Sequence, residues 1–140
     1  MWPDHLDNPQ AIYSAFPNRV PELKGLHAGR LLIHFPDGVF LGLEIWPLPD
    51  GCPSRWRERG KDRLEYRFMF YGTSDLSIVG TTQNLGASVT LELDKGAARL
   101  FSQARAFSTA FKFRGGRIYL HAFSARQRLD QQELWPPFPL

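Results

Sequence analysis

The sequence has a single cysteine, Cys52, so no disulfide can close within the chain, and the disulfide-stapled secreted scaffolds are excluded. It has no run approaching the roughly 18 uninterrupted apolar residues that a membrane helix needs. The opening Met1-Trp2-Pro3-Asp4-His5 lacks the basic and then apolar stretch of a secretion signal. We expect a cytoplasmic chain that does not span a bilayer. Catalytic signatures are missing too: no GxSxG elbow, Walker loop, GxGxxG turn or HExxH pair occurs. The four histidines, His5, His27, His34 and His121, are scattered, with no Cys/His spacing for zinc. The expectation is a chain without metal, cofactor or enzymatic activity.

What is present is aromatic. Apolar residues make up 43% and aromatic residues 14% of the 140 positions, with 11 Phe and 4 Trp. That composition favours a sheet-like core over a Leu/Ala-rich helical one. A chain of this length forms one domain and buries roughly two thirds of its unfolded surface. Helix signals are confined to the start, where Asp7 or Asn8 can cap a segment with Pro9 in its first turn, running from Ile12 to Phe16 before Pro17. From Gly25 onward the apolar period is two, and turn residues recur every eight to twelve positions. We read one domain: a helical N-terminal segment (1–24), a β core (25–124) and an extended or disordered C-terminal arm (125–140). The expected fold is mainly β, two packed antiparallel sheets with one short N-terminal helix over an open end; a closed antiparallel barrel is the alternative.

Registers can be read for two hairpins. A Pro36-Asp37-Gly38 loop with Gly38 left-handed sets Phe35 opposite Val39, Ile33 opposite Leu41 and Leu31 opposite Leu43, with Arg30 facing Glu44 outside. A Pro/Gly-rich connection from Pro47 to Gly60 follows. Leu64, Tyr66, Phe68 and Phe70 then point inward along one strand, and Leu76 and Ile78 mark a shorter one. Gly80 to Gly86 reads as a loop. Val89, Leu91 and Leu93 alternate up to an Asp94-Lys95-Gly96 turn, and 98–106 is ambiguous. In the last hairpin, a Gly115-Gly116 turn pairs Phe113 with Ile118 and Phe111 with Leu120.

Charge is modest in sum, at +3, but uneven along the chain: residues 95–128 contain eight Lys/Arg and no Asp or Glu. The last hairpin gives this block a geometry, because its outer side carries Lys112, Arg114, Arg117, Tyr119, His121 and Phe123. Such a strip suits an acidic protein partner or a nucleic acid, with cations on phosphate and Tyr119 and Phe123 stacking on bases. The plainer reading is a solvated sheet face. Elsewhere, Cys52 beside Arg55 and Arg57 is read as a loop cysteine, and Glu44 and Glu65 as solvated outward carboxylates.

The order of these features resembles the immunity protein 50 family, small bacterial proteins encoded beside polymorphic toxins. The match runs through Asn8-Pro9 with Ile12 and Phe16, Pro21 and Leu23, the proline-bounded loop leading to Arg55-Trp56, the Leu64 to Phe70 strand, and Leu76 to Gly80. It covers residues 8–124. One departure is Cys52-Pro53-Ser54 where a Pro-Pro step is expected before the basic-Trp pair. The resemblance implies a non-enzymatic inhibitor that binds a cognate toxin effector domain in the cytoplasm and occludes its active site or substrate access, without a cofactor. It transfers no contact residues. From residue chemistry, since Trp, Tyr and Arg dominate interface hot spots, the candidates are Arg114, Arg117, Tyr119 and His121, then Lys112 and the loop residues Arg55, Arg57 and Arg59.

Overall fold

The computed structural model describes residues 1–35, 38–81, 88–103 and 106–125. Two four-stranded antiparallel sheets pack face to face as a β-sandwich, and no barrel closes. Sheet 1 has the order β1 (His27–His34), β2 (Gly38–Ile45), β3 (Arg63–Tyr71), β8 (Gly115–Phe123). Sheet 2 has the order β4 (Ser74–Gly80), β7 (Phe107–Lys112), β6 (Ala97–Ser102), β5 (Val89–Asp94). The expected inward positions of β3 are buried, with Leu64, Tyr66, Phe68 and Phe70 all at 0% exposure. Val39, Leu41 and Leu43 of β2 and Val89, Leu91, Leu100, Phe111 and Phe113 complete the core from both sheets.

Three features of the chain differ from expectation. The residues read as one terminal hairpin are not a hairpin, since β7 ends in sheet 2 and β8 begins in sheet 1. The Phe113 amide bonds Gly96 O in sheet 2, and the next amide, Arg114, bonds Tyr71 O in sheet 1. The β3-to-β4 connection turns the same corner beside it, so the paired strands β3 and β8 continue as the pair β4 and β7. Alternation could not distinguish the two topologies, because either one leaves Phe111, Phe113, Ile118 and Leu120 facing inward. Gly116 serves close packing rather than a turn: a Cβ there would lie 3.0 Å from the Phe70 ring.

The first hairpin is also shifted, by two residues, so that Ile33 faces Val39 and Leu31 faces Leu41. Arg30 therefore meets Gly42, and Glu44 meets His27 across a bulge at Gly29. A two-residue slip keeps every side chain on its own face, so the hydrophobic pattern is equally satisfied. Gly38 decides it by entering the ladder opposite Tyr71, where a Cβ would meet Phe70 O at 1.8 Å. Pro36 and Asp37 of the loop lie outside the described residues.

The N-terminal helix α1 (Gln10–Ala15) forms, preceded by a 3-10 turn at Trp2–His5. Pro9 holds the cap position, and neither Asp7 nor Asn8 caps the helix. Asn8 instead bonds both the N–H and the C=O of Ile118, and the Asp7 amide bonds Gly116 O. Farther on, the Leu26 amide bonds Val89 O and the Leu91 amide bonds Leu23 O. The segment thus seals the outer edges of β8 and β5 and sends Ile12 and Phe16 into the core. The Pro47 to Gly60 connection contains a short helix, α2 (Ser54–Glu58). Most of the 80–86 loop and nearly all of the 125–140 arm fall outside the described residues. No helix is long and apolar enough to cross a membrane among them.

Candidate interaction face

The side of sheet 1 turned away from the core is built in rows that the strand registers fix. One row runs Leu32, Phe40, Met69, Arg117; the next Arg30, Gly42, Arg67, Tyr119; the third His27, Glu44, Glu65, His121. Past it, Arg63 pairs with Phe123 and the Arg63 guanidinium lies 4.1 Å over the Trp46 ring. The imidazole of His27 stacks on the same Trp46 at 3.4 Å and 11°, and His121 stacks on Phe123 at 5.6 Å. The Arg63 guanidinium is drawn to the Trp46 face because the ring quadrupole attracts positive charge there.

Glu44 and Glu65 are not the solvated carboxylates expected from their outward positions. They sit directly opposite each other in the ladder and are each 5% exposed. Arg67 Nε donates to Glu65 Oε1 at 2.5 Å, with side chains only 13% and 7% exposed. The cause is the neighbourhood: β2 and β3 are central strands, and long side chains from β8 and β1 flank them in every row. Burial of paired opposite charge in this way fixes geometry more than it adds stability.

The candidate residues divide between several places. Arg117 and Tyr119 project from β8 into solvent, with His121 half-buried in the next row. Lys112 belongs to the other sheet, where its ammonium pairs with Asp75 at 3.3 Å. Arg114 stands at the corner between the sheets, with its side-chain stem packed over Gly72. The expected continuous cationic strip is thereby split, and Phe123, placed on it by alternation, is buried at 6% exposure. Arg55, Arg57 and Arg59 lie on and just after α2, where Arg57 donates to Leu48 O at 3.2 Å. Trp56 packs edge-on against Phe16 at 6.1 Å. Cys52 lies in the loop before α2, as read, with its side chain buried against the core.

Sequence reasoning missed Trp46, His27, Arg63 and Arg67 as members of this face. Their only signal was the outward parity of Arg63, Glu65 and Arg67 on a strand whose other face is wholly apolar. Among the described residues no cluster of three His, Cys, Asp or Glu side chains could hold a metal ion. A surface cavity of about 330 Å³ lies on the edge of sheet 2, lined by Lys24, Gly25, Ser88, Thr90, Phe101 and Gln103. Compared with protein-family models, curated proteins and solved structures, the chain matches none.

Proposed function

We propose that the protein is an immunity protein that binds a cognate polymorphic-toxin domain through the outer face of sheet 1 and occludes its active site or substrate access. The observation that carries this reading is that face: Trp46, Arg63 and Arg67 are held on it by stacking and a buried ion pair, and Arg117 and Tyr119 stand exposed on adjoining rows. Trp, Tyr and Arg are the residue types that dominate binding hot spots. A face already ordered before binding loses little conformational entropy on contact, which favours tight association. The sequence resemblance to the immunity protein 50 family supplies the partner class, and the cationic rim of Arg117 suits an acidic surface on it.

The test is co-expression with the effector domain encoded by the neighbouring gene. Cells should tolerate the effector only when this protein is present, and the two should co-purify. Housekeeping neighbours alone, or survival without binding, would overturn the proposal. Nucleic-acid binding is the second reading, favoured by Arg117 beside Tyr119. It is weakened because Glu65 occupies Arg67 and Asp75 pairs with Lys112, which lowers the number of cations able to release counterions from phosphate. A steep fall of oligonucleotide affinity with salt would favour it over the toxin reading.

A further inference from the structure

A sandwich exposes four edge strands, each a row of unpaired backbone groups that invites another strand. Here three are blunted. The edge of β8 is occupied by Asp7 and Asn8, that of β5 by Leu23 and Leu26, and β1 carries the bulge at Gly29. Among the described residues the fourth, β4, pairs only with β7, and all seven of its residues are exposed. Its own bulge lies at the start, between Ser74 and Ser77, leaving the rest regular.

Ile78 faces Thr109, which is 1% exposed, so Ile78 and Leu76 point toward the core side. Yet they stay 47% and 37% exposed. The Ser77 carbonyl turns toward β7, where it accepts the Thr109 hydroxyl at 2.8 Å. Alternation then directs the N–H and C=O of Ile78 away from β7, into the open edge.

We propose that β4 pairs antiparallel with β4 of a second copy about a two-fold axis through Ser77, joining the two copies of sheet 2 into one eight-stranded sheet. This inference is independent of the toxin reading. The strand is self-complementary in that register: Leu76 meets Ile78 of the other copy twice and Ser77 meets Ser77, so no like charges oppose. An axis perpendicular to the sheet keeps both inward faces on one side, as a closed isologous dimer requires. The four uncovered apolar side chains then cover one another.

Analytical ultracentrifugation of the full chain across a concentration series tests the proposal. A reversible dimer is expected. Ile78→Lys, which sets a charge into both apolar pairs, should weaken it by tenfold or more. Ser77→Lys and Ser77→Glu place like charges face to face on the axis, and each should weaken the dimer several-fold. Mixing those two variants should restore it at low salt, which also shows that both fold. A chain that stays monomeric at high micromolar concentration overturns the proposal. So does a dimer indifferent to these substitutions, or a mixture that regains nothing.

Discussion

On the outer side of sheet 1 the Glu65–Arg67 pair is held by side chains 7% and 13% exposed, whereas on sheet 2 the Asp75–Lys112 pair stands 69% and 70% in solvent. The surroundings differ in the same sense. Around the first pair Phe40, Met69 and Phe123 are buried although they point away from the core. The outer side of sheet 2 presents Thr90, Glu92, Arg99, Ser108 and Ala110, none of them buried. The same charge chemistry is therefore a rigid part of one face and a solvated ornament of the other. The first face has buried, paired side chains of the kind that tight recognition needs, whereas on the second the described contact is Arg99 lying 4.9 Å over the Phe101 ring.

The largest effect that would break this contrast comes from Glu65→Ala. Glu65→Ala takes from the buried Arg67 guanidinium the carboxylate to which its Nε is bonded, and the loss of stability should be about 3 kcal/mol. Urea unfolding followed by far-ultraviolet circular dichroism measures it. A loss below about 1 kcal/mol would place the pair in effective contact with water and remove the distinction between the faces.

Next in size is the binding contrast. If the proposed toxin partner binds sheet 1, Tyr119→Ala and Arg117→Ala should each cost about 2 kcal/mol in affinity for it, roughly 30-fold in Kd. Lys112→Ala, on the other sheet, should change Kd less than about threefold. Calorimetry on the three variants decides. If Lys112 proves the costly position, the proposed partner docks on sheet 2 instead.

Tyr66 sharpens the comparison from beneath, on the inner side of the strand that carries Glu65 and Arg67. Its ring packs against Trp2 and Phe68, but its buried hydroxyl has no hydrogen-bond partner among the described residues. Burial pushes the phenol well above its ordinary pKa of 10.0. Tyr66→Phe removes an unsatisfied polar group, so stability at neutral pH should hold or rise by up to about 1 kcal/mol. The sign with pH follows from the raised value. Below pH 10 both folded and unfolded phenols are neutral. Above it the unfolded chain ionises first, and stability falls as pH climbs toward the folded value. That part of the alkaline slope should be missing in Tyr66→Phe, read from unfolding midpoints at neutral pH and at about pH 11.

The layout of the core was legible in the sequence because a period of two is a local signal. Leu64 to Phe70, Val89 to Leu93 and Phe107 to Phe113 all face inward as their alternation requires. What alternation cannot carry is the identity of the neighbouring strand. Gly115-Gly116 offers the chemistry of a tight turn, but it begins β8 in sheet 1, where Gly116 pairs with Phe70 of the neighbouring β3 and lies against its ring. The cationic strip inherited that error. It kept Arg117, Tyr119 and His121 together because they share one strand, and it lost Lys112 and Arg114 because a corner intervenes. Glu44 beside Glu65 depended on a long-range register that neither segment specifies alone.

The smallest predicted change is the control on the whole contrast. Asp75→Asn breaks the exposed pair with Lys112 while keeping the residue's size and its tolerance of the positive φ of 53° found there. Asn adopts that left-handed conformation as readily as Asp, so the backbone has no reason to shift. What remains is one ion pair between two hydrated side chains, and its loss should change unfolding stability by less than about 0.5 kcal/mol. Salt should act the same way: adding it screens the exposed pair and leaves the Glu65–Arg67 contact largely untouched. A loss near 2 kcal/mol for Asp75→Asn would mean that the β4 bulge depends on this pair. Sheet 2 would then have a charge-built element comparable to the one in sheet 1.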